Sequence, residues 1–212
     1  MHQINISIHV IAGVLALCVG IISYASIKGE RVHRRYGRIF LGLMGIVVLT
    51  ATIGVAFFRD RPFLTVITIQ SFYMATSGFR ALKYKQKGPG IIDLGLVVLL
   101  LGAGGLFVWN MQTANIVWDG RLVYYLLTFL FAVGVYDVLR IFNVINWPNA
   151  WLPEHFLKMT SAYTALFSAG MGTVLPNLGA YTQIVSAMMG TALLIGVIWR
   201  FRDKFRRVKV SS

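Results

Sequence analysis

Two histidines are the residues whose chemistry is easiest to imagine. His33 sits in Glu30-Arg31-Val32-His33-Arg34-Arg35-Tyr36-Gly37-Arg38, and His155 opens an apolar run. Imidazole suits both haem iron and transition metals, so two histidines at one depth are candidate ligands for haem or a metal ion. Asp93 is the acid expected to complete such a metal site, and Asp137 and Glu154 belong to the same layer, where a proton relay would fit. A second haem arrangement pairs His9 with a sulfur such as Met171. The structural alternative makes His33 part of a solvated basic loop and His155 the start of a helix at an interface. No HExxH spacing supports a paired metal motif.

Other polar groups lie within apolar stretches, where an ionisable or hydrogen-bonding group is costly and so is a candidate site. His9 and Gln70 are two of them; their alternative role is to hydrogen-bond neighbouring helices. Asp137 and Arg140 are three residues apart, share a helix face and are expected to pair with each other. Thr160, Tyr163 (or Thr164) and Ser168 follow the spacing of one helical face. That face would line a cavity, or else hydrogen-bond to other helices and its own backbone.

The elements that must hold these residues follow from composition. Of 212 residues, 57% are apolar and 13% charged, with mean hydropathy +0.71. Soluble domains average about 45–50% apolar and about 25% charged. A soluble, disordered or fibrous protein is excluded, and an all-α polytopic transmembrane bundle is expected. The expected spans are Ile4–Ile27, Arg38–Phe58, Pro62–Leu82, Ile91–Asn110, Arg121–Phe142, His155–Leu175 and Ala180–Trp199. Each is near the roughly 20 residues that a bilayer requires. Residues 1–200 form one seven-helix domain in this reading, and 201–212 form a basic tail. Short links predict antiparallel and mostly adjacent neighbours.

The net charge of +13 would suggest nucleic acid in a soluble protein. Here its position explains it, and no nucleic-acid partner is expected. Seventeen of the 20 cations fall in the first, third and fifth links and the tail, leaving Arg59, Arg61 and Arg121 on the other side. The positive-inside rule then places the N-terminus outside and the C-terminus in the cytoplasm. Met1-His2-Gln3 lacks a positive n-region, so the first span reads as retained. Tyr and Trp near the ends of the spans, among them Trp109, Trp118, Trp147 and Trp199, fit the membrane interfaces. Gly13, Ala16 and Gly20, Gly102 and Gly105, and Ser186 and Gly190 have helix-packing spacing. The lone Cys18 permits no disulfide within the chain.

Familiar activities are missing. The last span has no lysine for a retinal Schiff base, and no Walker loop or GxSxG elbow occurs. The sequence points away from an enzyme and names no catalytic residue.

His9-x3-Gly13-x2-Ala16-Leu17-x2-Gly20, followed by Lys28-Gly29-x3-His33-Arg34-x2-Gly37-Arg38, resembles the opening of a bacterial membrane-protein family known only as domain of unknown function 2306. Ser77-Gly78-Phe79-Arg80-Ala81-Leu82 is similar to its third-span ending, and Asp93 to the acidic start of its fourth span. His155-x3-Met159-x2-Ala162-Tyr163-x-Ala165 is similar to a motif of Bacteroidetes-type members. Ser168-Ala169-Gly170-Met171-Gly172 departs from that pattern. The resemblance implies a multi-pass protein of the bacterial inner membrane with recurrent histidines at 9, 33 and 155, and it implies no activity. The shared spacing of the His9 and His155 motifs also echoes the inverted repeats of transporters.

Three functional readings follow. The first is transport of a small molecule, ion or proton, on the polar face of the sixth span, Gln70 and the charged fifth span. The second is a non-catalytic subunit or assembly factor of a membrane complex, or a homo-oligomer, whose basic inner face attracts anionic lipid. The third is a haem- or metal-binding redox protein using His33 and His155.

Overall fold

Long apolar segments must satisfy their backbone groups internally when water is excluded, and a helix does this within one segment. The computed structural model describes residues 2–57, 62–84, 88–113, 121–145, 150–178 and 181–210. Over these the chain is all-α. The helices are α1 His2–Ala25, α2 Arg31–Phe57, α3 Pro62–Ala81, α4 Ile91–Thr113, α5 Arg121–Ile141, α6 Trp151–Val174 and α7 Tyr181–Val210, with a 3₁₀ turn at Pro176–Leu178. Four of them, α1, α2, α4 and α5, are long and apolar enough to cross a membrane.

The more polar α3 and α6 form the middle of the molecule. α3 packs against α2, α4, α5 and α6, and α6 packs against α1, α3 and α7. Their polar residues are turned inward: Gln70, Ser71 and Ser77 on α3, and Glu154, Lys158, Thr160 and Ser168 on α6, are all buried. The outer surface is instead apolar, with Ile11, Val14, Leu49, Val98 and Leu106 exposed. An apolar exterior around a partly polar centre is the distribution that a lipid solvent favours.

Helix bounds depart from expectation most clearly at three places. α6 starts at Trp151 rather than His155, so His155 lies in its second turn and does not begin the helix. α2 starts at Arg31 rather than Arg38, so His33 lies in its first turn and not in a loop. α7 continues as helix through Val210, taking in most of the expected tail. The α1–α2 link turns at Gly29, whose φ of 84° favours glycine. Trp118 and Trp147 lie outside the described residues, as do Arg59, Arg61, Lys85 and Lys87.

The adjacency rule fails at one place. α5 and α6 are consecutive, yet they are not close neighbours along their backbones; both pack on α3. Side chains join them, as described below.

Small residues act at some expected positions and not at others. Ala12, Ala16, Gly20 and Ser23 form the buried stripe of α1. A Cβ on Gly20 would lie 2.6 Å from the Tyr163 ring, and one on Gly190 would lie 2.6 Å from Thr164. Gly102 and Gly105 meet nothing within 4 Å, so the expected packing role passes to Gly104, which faces Phe131 at 3.2 Å.

Candidate functional site

Three acids and three bases meet at one end of the bundle. Lys158 on α6 donates to both carboxylate oxygens of Asp137 on α5, at 2.7 and 2.8 Å. Tyr73 on α3 donates to the same carboxylate. Arg140 Nε on α5 donates to Glu154 Oε1 on α6 at 3.0 Å, and Tyr136 donates to that oxygen at 2.9 Å. Arg80 at the end of α3 grips Asp93 on α4 through Nε at 2.5 Å and Nη2 at 2.9 Å.

The layer is electrically balanced. Each carboxylate has one cation, and Lys158 is only 2% exposed. The expected Asp137–Arg140 pair is therefore corrected. Both residues do lie on one face of α5, but each reaches across to α6 instead. Pairs within each helix, Asp137 with Arg140 and Glu154 with Lys158, would also balance the charge, but the crossed pairs tie α5 to α6 as well.

Asp93 has a second task. It accepts the backbone N–H of Gly90 at 2.8 Å. It is the third residue of α4 and reaches back to the residue before the helix, which is the acidic half of a capping box. Tyr84, in the link after α3, also donates to Asp93. Burial first, and then that carboxylate, pushes the Tyr84 hydroxyl far above the usual phenol range, so it remains a donor.

A different kind of space lies between α3, α5, α6 and α7. Its volume is about 720 Å³, within the range of about 300–1,000 Å³ usual for small-molecule sites. The polar face expected on α6 lines it through Thr160, Ser161, Thr164 and Ser168, joined by Ser186 and Thr191 of α7. Among the described residues that line it, none is charged. The Thr164 hydroxyl donates to the Thr160 carbonyl at 3.0 Å, Ser186 to Thr182 at 2.7 Å, and Thr191 to Ala187 at 2.9 Å. With their protons committed to the backbone, these hydroxyls offer acceptor lone pairs.

Gln70 from α3 also lines this cavity. Its residue is 7% exposed, and Gln70 Oε1 is buried with no hydrogen-bond partner. A buried amide oxygen left unpaired costs about 1–3 kcal/mol. Gln70 Oε1 and the Thr164, Ser186 and Thr191 hydroxyls thus stand as neutral acceptors on this wall. Tyr125, Ile184 and Met188, all exposed, frame the side between α5 and α7. Tyr163 belongs to the opposite side of α6. It packs on Gly20 and reaches the Leu17 carbonyl at 3.5 Å.

His33 and His155 do come together. Their ring centroids are 6.5 Å apart and the ring planes are nearly perpendicular, at 86°. His33 Nδ1 donates to the Ser23 carbonyl at 2.9 Å, and His155 Nδ1 donates to the Gly78 carbonyl at 2.8 Å. A carbonyl only accepts, so both Nδ1 atoms carry protons and each Nε2 is left for a ligand. Asp93 is not with them; its bonds go to Arg80, Tyr84 and Gly90. Among the described residues no group of three or more His, Cys, Asp or Glu side chains could hold a metal ion. Two imidazoles line a cavity of about 180 Å³ between α1, α2, α3 and α6.

His9 is placed apart from all of these. Its Nδ1 lies 2.9 Å from the Thr50 hydroxyl, which itself donates to the Ile46 carbonyl at 2.8 Å. His9 thus donates to Thr50 and ties α1 to α2. Asn5 adds a bond to the Thr50 carbonyl at 3.0 Å.

Sequence reasoning did not assign Lys158, Tyr73, Tyr136 or Arg80 to a site. A signal was present for the first. Glu154 and Lys158 are four apart on α6, and Asp137 and Arg140 are three apart on α5, so two polar faces of matched charge stood at one depth. No protein family, curated protein or solved structure matches this chain, so the resemblance to domain of unknown function 2306 is carried by its short motifs alone.

Proposed function

We propose that the chain is a seven-span protein of a bacterial inner membrane that takes up a small, neutral, donor-rich solute in the cavity between α3, α5, α6 and α7. The observation that carries this reading is the unpartnered Gln70 Oε1 in an uncharged, hydroxyl-lined wall. A solute with N–H or O–H groups supplies the donor that Gln70 Oε1 lacks. An ion would find no countercharge there, and taking an ion out of water without one is expensive. The reading therefore narrows transport to neutral molecules such as polyols and amides.

The seven-span arrangement is supported by the central place of α3 and α6. Neither is apolar enough to be recognised alone, but their charged groups are paired inside the bundle. The orientation, with the N-terminus outside, rests on the distribution of cations. Arg80, Arg140 and Lys158 are held in ion pairs, yet removing them from the count still leaves 14 cations against three.

The test uses proteoliposomes exposed to glycerol or urea gradients, with volume recovery followed by light scattering. Wild-type vesicles should recover faster than protein-free vesicles for at least one solute. Gln70→Leu, which removes the acceptor, and Ser161→Phe, which fills the cavity, should return recovery to the protein-free rate. Equal rates with and without wild-type protein for both solutes would sink the proposal.

A further inference from the structure

The cavity that holds His33 and His155 has a wall unlike the first. Lys28, Arg34 and Arg38 line it, and among the described residues no acid does. Lys28 is fixed by the Ser23 carbonyl at 3.3 Å, by the Tyr24 carbonyl, and by the Tyr24 ring with its centroid at 4.5 Å. These contacts hold the ammonium at the cavity wall. Arg34 and Arg38 are one turn apart on α2, and Arg31 and Arg35 extend the same basic surface beyond the cavity. The remaining wall is mostly apolar, with Phe40, Leu41, Phe79 and Met159 among its members. A positive rim beside an apolar wall matches a molecule with an anionic head and a hydrocarbon tail.

We propose that the cavity between α1, α2, α3 and α6 binds an anionic amphiphile, with the head at Lys28, Arg34 and Arg38 and the acyl chain along Phe40, Phe79 and Met159. The volume of about 180 Å³ is below the range for a complete drug-sized ligand, about 300–1,000 Å³. It takes the head and the first methylenes, and the rest of the chain continues into the bilayer. His33 and His155 stand beside the head. Each ring is held by its Nδ1–H on a backbone carbonyl, so its bare Nε2 accepts and can bond a head-group hydroxyl but not the anion itself. This site and the hydroxyl-lined cavity lie on different sides of α6 and share Thr160 alone among their lining residues.

The charged head could be a phospholipid phosphate or a fatty-acid carboxylate. The test separates these sources. Full-length protein in a neutral detergent is titrated with phosphatidylglycerol, oleate, phosphatidylcholine or inorganic phosphate. Retained ligand is read by native mass spectrometry. Saturable binding of one phosphatidylglycerol or one oleate per chain is expected, and the stronger of the two identifies the head.

Arg34→Gln with Arg38→Gln should weaken that binding about thirtyfold, which corresponds to about 1 kcal/mol for each cation near a membrane surface. Gly37→Leu supplies a second variant. Gly37 lines the cavity, and a Cβ there meets only the Ser23 hydroxyl, at an ordinary 3.5 Å. It should keep the melting temperature and lose the bound amphiphile. Equal binding of phosphatidylcholine would overturn recognition of the head. Inorganic phosphate binding as tightly as the amphiphiles would overturn recognition of the tail. Unchanged binding in Gly37→Leu would place the amphiphile on the general basic surface and refute the cavity.

Discussion

Lys158→Met removes one charge from the most deeply buried ion pair and nearly preserves the side-chain volume. Lys158 is 2% exposed and its ammonium makes two bonds to Asp137, at 2.7 and 2.8 Å. After the change the Asp137 carboxylate keeps Tyr73 and loses its cation. Breaking a buried pair from one side typically costs about 3–5 kcal/mol. Asp137→Leu should cost about as much, since it strands the ammonium instead. The double variant strands neither charge and leaves chiefly the Tyr73 hydroxyl unsatisfied, at about 1–3 kcal/mol. Two single losses against one smaller double loss give a coupling of about 3 kcal/mol or more. The assay is reversible unfolding in mixed micelles with increasing dodecyl sulfate, for wild type, both singles and the double. A double loss equal to the sum of the singles would refute the reasoning, because it would mean that the two charges do not depend on each other.

Two further outcomes are expected. Gly20→Ala should destabilise by about 1–3 kcal/mol, because its Cβ falls 2.6 and 2.7 Å from Tyr163 ring carbons, whereas Gly42→Ala, with nothing within 4 Å, should be neutral or gain about 0.5–1 kcal/mol; melting temperatures of the two variants decide it. In a Cys18→Ser background, single cysteines introduced at Ser26 and at Thr113 should react differently with a membrane-impermeant maleimide added to intact cells, Thr113→Cys being labelled and Ser26→Cys protected; the reverse pattern would invert the proposed orientation.

The helices were legible in the sequence because the solvent expected for them leaves little choice: apolar runs of bilayer length read as helices whatever their neighbours do. Position 93 shows where legibility stops. An acid three residues into a helix announces a cap, and Asp93 is one, but the arrival of Arg80 from α3 depends on how α3 and α4 lie together. Asp137 and Arg140 make the same point more sharply. Their spacing placed both on one face, which is correct, and suggested a mutual pair, which is not, because local spacing has no access to α6. The meeting of His33 and His155 was anticipated from their shared depth, while the separation of Asp93 from them was not, since depth does not fix the position of a residue around the bundle. The polar face of α6 was readable as a face. What it faces, a cavity shared with Gln70, required the packing of four helices.

The cost of polar groups away from water usually marks any intramembrane charge as a site of function. In this chain that inference needs one more step. The charged layer has three anions and three cations in matched pairs, so its groups already have what they need, and removing a partner harms stability before anything else. Gln70 is in the opposite condition. It carries no formal charge, yet its oxygen is buried without a donor beside a space large enough for a solute. A satisfied ion pair holds helices in place, whereas an unsatisfied acceptor at a cavity wall has a binding free energy still to be realised. The distinction between them is hydrogen-bond occupancy rather than charge. It places the ion pairs of α3, α4, α5 and α6 with the scaffold and is the ground on which the neutral wall around Gln70 is proposed as the binding surface.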